Sequence, residues 1–264
     1  METAYIVSGV LVGVLVGLTG VGGGSLMTPL LVFLFGFAPS TAVGTDLLFA
    51  SITKTGGTLV HHGKHKSVEW KIVGWLALGS LPAAGVVLYL LETTFKKDPA
   101  VTAIMTTTLG VALLLTAVAL LFRNRLMRKS HESALQRKTH SERFGRWQAP
   151  ITVCVGVMLG VLVTLSSVGA GALGTVALLF LYPRLATVRV VGTDLAHAIP
   201  LTAVAGLGHL HMGNVNFELL GSLLIGSLPG IYVGSHLSGR IPEHIMRPIL
   251  ASILVLIGLK FVLA

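Results

Sequence analysis

Residues 151–182 read ITVCVGVMLGVLVTLSSVGAGALGTVALLFLY, thirty-two positions from Ile151 to Tyr182 with no charged side chain among them. As one helix the stretch would be ~50 Å long at 1.5 Å per residue, against a hydrocarbon core of ~30 Å. Small residues fill its centre, Ser166-Ser167-Val168-Gly169-Ala170-Gly171, and offer a place to break. Two readings remain: a re-entrant helical hairpin that returns to its own side, or a full span followed by half a span. Which is right sets the orientation of everything downstream.

A second stretch of the same kind, 4–36, opens the chain, and other segments recur with it. Val43-Gly44-Thr45-Asp46-Leu47 returns as Val191-Gly192-Thr193-Asp194-Leu195, an offset of 148. Gly79-Ser80-Leu81-Pro82 returns as Gly226-Ser227-Leu228-Pro229, Val21-Gly22-Gly23-Gly24 as Val168-Gly169-Ala170-Gly171, and Val68-Glu69-Trp70 as Val215-Asn216-Phe217, all at 147. Four matches in one register indicate a duplication. After its glycine-centred stretch each half carries three more apolar segments, 41–61, 70–91 and 101–122, then 187–209, 217–239 and 245–263. The chain divides into a first membrane repeat (1–122), a basic loop (123–149) and a second repeat (150–264).

Charge chooses between the two readings. Loop 123–149 carries eight Lys and Arg residues, which places it in the cytoplasm. With 151–182 as a hairpin, fifteen loop cations fall inside and two, Lys96 and Lys97, outside; with 151–182 as a crossing the split is eleven to six. The hairpin follows the positive-inside rule better. A hairpin plus three spans is an odd number of crossings, so the second half enters the membrane inverted. The C-terminus and loop 210–216 are then expected outside. Trp70, Tyr89, Trp147 and Tyr182 lie near segment ends, where an interfacial belt is expected.

Composition supports a membrane chain. The 264 residues are 53% hydrophobic and 11% charged, with a mean hydropathy of +0.85, where soluble domains are roughly a quarter charged. The net charge of +9 sits mostly in loops, where topology explains it without a nucleic-acid partner. The lone Cys154 forms no internal disulfide, and Met1-Glu2-Thr3 lacks the positive start of a signal peptide. There is no G-x-S-x-G, no H-E-x-x-H and no P-loop lysine, so neither a catalytic signature nor a nucleotide-driven energy source is visible. No cofactor is expected.

Taken together, Gly17-Leu18-Thr19-Gly20-Val21-Gly22-Gly23-Gly24 with Pro29, Ala42-Val43-Gly44-Thr45, Gly208-His209-Leu210-His211-Met212-Gly213-Asn214-Val215 and Gly226-Ser227-Leu228-Pro229-Gly230 resemble the sulfite exporter TauE/SafE family. The likeness runs nearly the whole length of the chain and keeps the order of the motifs. It implies a bacterial or archaeal membrane protein that moves sulfite, sulfoacetate or other sulfur-containing organic anions, typically outward.

Candidate site residues follow from this layout. A half-helix that begins within the membrane presents unpaired N–H groups and a positive dipole end, and glycine lets an anion approach them. Gly22, Gly23, Gly24 and Ser25, with Ser167, Gly169 and Gly171, are therefore read as substrate-binding; close helix packing is the plain alternative. Thr45 and Thr193 are expected to line the same cavity. Asp46 and Asp194, each after a Gly-Thr pair, either cap a helix or bind a coupling proton or cation. Lys54 falls mid-segment, where an ammonium costs ~3 kcal/mol or more unless paired or hydrated, so it faces an anion, a wet cavity or an acid from another helix. Thr202 is its counterpart in the second half. His197, one turn after Asp194, either relays a proton or simply packs. His61, His62, His209 and His211 stand at segment ends and suggest no metal site.

The expected protein is thus an all-α, polytopic bundle of two inverted repeats, each a broken hairpin plus three spanning helices, in the cytoplasmic membrane. It is expected to act as a secondary transporter of small anions, sulfite or organosulfonates first, by alternating access with proton or sodium coupling. Its partners are that anion and the bilayer, with no nucleic acid, in a monomer or homodimer. Other carboxylate or inorganic anions, an uncoupled channel, and an intramembrane enzyme using Asp and His are the alternatives.

Overall fold

The computed structural model describes residues 2–19, 24–65, 68–93, 100–136, 141–183, 185–237 and 243–263. They form helices in two sets of five. The first is α1 (Glu2–Thr19), α2 (Gly24–Phe33), α3 (Pro39–His65), α4 (Trp70–Thr93) and α5 (Ala100–Gln136). The second is α6 (Ser141–Ser166), α7 (Ala172–Leu181), α8 (Thr187–His211), α9 (Phe217–Leu237) and α10 (Glu243–Leu263). By length and composition five of these can cross a bilayer: 70–93, 100–122, 147–166, 187–211 and 217–237.

The stretch 151–182 is a hairpin. α6 stops at Ser166, and the chain turns through Ser167, Gly169 and Gly171, all at positive φ (59°, 122° and 125°). Glycine adopts that conformation freely; serine does so at a cost. α7 then runs back along α6. Its last carbonyl, on Leu181, accepts 2.8 Å from Gln148 Nε2, and the Tyr182 hydroxyl lies 2.8 Å from Thr152 Oγ1. Both partners belong to the early part of α6. In the first half Tyr5, near the start of α1, stacks edge-on against Phe35 beyond the end of α2, with ring centroids 5.0 Å apart. α2 and α7, ten residues each, are ~15 Å long, half a bilayer core.

The two halves exchange partners. α1 packs on α9, and α6, its equivalent, packs on α4, the equivalent of α9. Glycine makes both contacts close. A Cβ on Gly13 would stand 2.5 Å from the Ser227 carbonyl oxygen, and one on Gly79 or Gly226 would collide with the carbonyl of Val153 or Ile6. Without side chains between them, backbones approach to direct van der Waals contact, the main source of helix association where lipid supplies no hydrophobic drive. These pairs run parallel: Gly9, Gly13 and Gly17 meet Leu223, Ser227 and Ile231 in the same order. Equivalent helices instead meet antiparallel. Gly44 and Leu48 of α3 face His209 and Gly206 of α8, and Gly110 and Leu114 of α5 lie against the 258–262 region of α10.

The apolar core follows the same exchange. Val12, Met27, Phe49 and Leu219 join α1, α2, α3 and α9; Leu159, Leu178, Val190 and Leu76 join the equivalent α6, α7, α8 and α4. Between these clusters, α3 and α8 cross at the centre.

Among the described residues of the basic stretch 123–149, α5 continues to Gln136 and α6 starts at Ser141. No proline or glycine interrupts 123–144, and its Arg, Lys, Glu, Leu and Ala residues favour helix. α5 is therefore 37 residues, ~55 Å, and outruns any bilayer core.

Candidate functional site

The repeated Val-Gly-Thr-Asp segments tie three elements together at the middle of the bundle. Asp46 lies seven residues inside α3, too far along to cap it, and its Oδ2 accepts 2.5 Å from Thr28 Oγ1 of α2. Asp194, at the equivalent place in α8, accepts 2.9 Å from Thr175 Oγ1 of α7. Each buried carboxylate thus grips the short half-helix of its own repeat. The preceding threonines reach the other repeat. Thr45 Oγ1 accepts 3.1 Å from the Asn216 backbone N–H ahead of α9, and Thr193 Oγ1 accepts 3.0 Å from the Glu69 N–H ahead of α4. Thr45 and Thr193 are fully buried, so both hydroxyls already bind the chain where the next helix begins. The two donors, Glu69 and Asn216, are themselves equivalent positions of the duplication.

Lys54 extends from α3 to the tip of the second hairpin. It is buried, and its Nζ donates 3.1 Å to the Ala170 carbonyl, between Gly169 and Gly171. Asp46 and Asp194 are both within electrostatic reach of the ammonium, although it forms no direct ion pair among the described residues. Ser167, at the same tip, lies beside the Asp46 carboxylate. Asp46 Oδ1 and Ser167 Oγ are buried without a well-formed hydrogen bond among the described residues. Two acids, one ammonium and a left-handed serine therefore converge on one hairpin tip. Thr202, the counterpart of Lys54, turns its hydroxyl back onto the Ala198 carbonyl at 2.8 Å. The polar centre is asymmetric.

His197 is buried, with Nε2 2.8 Å from Ser80 Oγ of α4, and Lys54 is its charged neighbour. His209 bonds to the Thr164 carbonyl at 3.0 Å, and His211 pairs with Glu92 at 3.4 Å on the surface. Of the remaining sequence candidates, Gly22 and Gly23 lie outside the described residues, Gly24 opens α2, and Ser25 is buried one position further on. Gly169 and Gly171 shape the turn, and Gly171 stands at the N-cap of α7, which has no side-chain cap. Among the described residues no three His, Cys, Asp or Glu side chains are placed to hold a metal ion.

Sequence reasoning missed Thr28, Thr175, Ser80 and the Ala170 carbonyl. The signal for the threonines was present: they stand 147 apart, in the register of the duplication.

Proteins similar to this chain are membrane transporters by name. "Probable membrane transporter protein YjnA" of Bacillus subtilis is 39% identical over 269 residues, covering 99% of this chain and all of the relative. "Probable membrane transporter protein YdhB" of the same organism is 27% identical over 90% of each chain. A protein of the same description from Methanocaldococcus jannaschii is 28% identical over 98% of this chain and 94% of its own length. No solved structure is significantly similar. The family pattern described as "Sulfite exporter TauE/SafE" matches residues 5–261, so this multi-pass membrane transporter belongs to the TauE/SafE family.

Proposed function

We propose that the chain is a secondary transporter of small sulfur-containing anions, sulfite or an organosulfonate, moved outward by alternating access around the tip of the second hairpin. The supporting observation is Lys54: a buried ammonium directed at the turn where α7 begins, with no carboxylate in direct contact among the described residues. An ammonium in that position is costly unless something anionic or wet meets it. The start of α7 offers a second positive end to the same ligand. With Asp46 and Asp194 ionised, the site carries one negative charge in excess, and an anion would add to it. Binding is then favoured by a proton or sodium ion arriving at a carboxylate, which makes Asp46 and Asp194 the coupling groups and His197 a neighbouring relay.

The antiparallel crossing of equivalent helices supports insertion of the halves in opposite senses, with 123–149 and 183–189 cytoplasmic and 210–216 outside. Purified protein in liposomes tests the proposal across sulfite, sulfate, sulfonates and carboxylates. Saturable flux of sulfite or a sulfonate, accelerated by an imposed proton or sodium gradient, is expected. Non-saturable flux indifferent to either gradient would make it a channel.

A further inference from the structure

Where α4, α6 and α7 meet at one end of the bundle, a crevice of about 200 Å³ opens, lined by Lys71, Ile72, Trp75, Gln148, Ala149 and Tyr182. We propose that it binds the phosphodiester headgroup of an anionic phospholipid. Lys71 is exposed and has no ion-pair partner among the described residues; Glu69, two positions away, is taken by Arg189 at 2.5 Å. No acidic residue lines the crevice. Trp75 and Tyr182 supply amphipathic walls for the glycerol region, and the Trp75 indole N–H and the second amide hydrogen of Gln148 add donors for phosphate oxygens. Trp70 and Trp147, 64% and 66% exposed, open α4 and the apolar part of α6 and mark this level as the lipid–water interface.

The duplication provides an internal comparison. At an offset of 147, Lys71 corresponds to Glu218 in the first turn of α9, Trp75 to Ser222 and Tyr182 to Phe35. The shared fold therefore does not require a cation or a polar aromatic ring at this place. Only one of the two equivalent positions is built for an anion, and its Gln148 and Ala149 close the basic stretch 123–149 in sequence. Assignment to the cytoplasmic leaflet rests on the proposed topology; binding itself does not, because a nanodisc offers one lipid mixture to both faces.

Replacing Trp70 and Trp147 by Phe leaves Trp75 as the sole tryptophan of three. In nanodiscs, brominated phosphatidylglycerol is expected to quench Trp75 at about fivefold lower mole fraction than brominated phosphatidylcholine, the preference one lysine near the surface supplies. Lys71→Glu, which copies Glu218, should abolish the preference. Equal quenching by the two lipids, or a preference that survives Lys71→Glu, would overturn the proposal. Millimolar inorganic phosphate relieving the quenching as fully as excess unbrominated phosphatidylglycerol would also overturn it, in favour of a free-anion site. Should the double Phe variant fail to fold, native mass spectrometry of the otherwise unaltered chain and Lys71→Glu decides: loss of one retained phosphatidylglycerol is expected, and identical retention refutes it.

Discussion

Asp46 and Asp194 each hold a threonine of a half-helix, and Lys54 is within electrostatic reach of both, so single atoms at this centre carry disproportionate weight. Lys54→Met is expected to lower initial anion flux about tenfold or more, the consequence of losing ~1.4 kcal/mol of interaction with the anion. Lys54→Arg should retain more flux, because charge is kept. Unchanged flux by a monodisperse Lys54→Met protein would make the residue structural. Gly174 makes a separate point. A Cβ there would collide with Asp194 Oδ1, so Gly174→Ala must displace the carboxylate from Thr175 or shift α7. Overpacking of this kind costs about 1–3 kcal/mol. Thermal unfolding in detergent should show lower stability, and coupling to the ion gradient should weaken.

Among elements, the parallel pairs α1–α9 and α4–α6 rest on the same device, glycine against backbone. Gly13→Val in the first and Gly156→Val in the second should each cost about 1–3 kcal/mol, because the obstructing atoms are carbonyl oxygens of Ser227 and Leu76 rather than flexible side chains. Similar losses of thermal stability in both variants are expected; a loss in only one would mean the exchanged packing does not matter equally to both halves. The hairpin turn differs in kind. A methyl group on Gly169 would meet only ordinary contacts, at 3.5 Å or more, yet the φ of 122° strains any L side chain. There the cost is conformational, and it falls on the turn that presents the Ala170 carbonyl to Lys54.

For the whole molecule, equivalent helices that cross antiparallel place the rotation axis relating the halves across the helices, not along them. If helices span the bilayer, that axis would lie in its plane and the halves would insert oppositely, as proposed above. Cysteine labelling in a Cys154→Ala background checks this: residues 186 and 187 should be reachable from the cytoplasm, and residues 213 and 214 from outside. Labelling of 186 from outside would remove both the hairpin topology and the inversion. α8 is also tied to α4 at both ends, Arg189 to Glu69 and His211 to Glu92, so these two helices are expected to move together in any change of access.

Charge and periodicity are written along the chain, which is why the membrane class, the duplication and the hairpin at 151–182 could be read from sequence. The glycine-rich centre and the distribution of Lys and Arg act locally, through backbone freedom and the cost of carrying cations across lipid. Partner choice is not local. That Thr45 and Thr193 would bind N–H groups of the opposite repeat, or that α1 would pack on α9, depends on where helices distant in sequence come to lie. The placement of Lys54 at the Ala170 carbonyl depends on the same thing, since it joins residues 116 positions apart. Positive charge marks the exit from lipid but does not end a helix, so α5 runs on to Gln136 within the basic stretch. The register of the duplication determined which residues are equivalent; only the tertiary fold decided that equivalent residues bond across the halves and that one lysine makes the shared centre unequal.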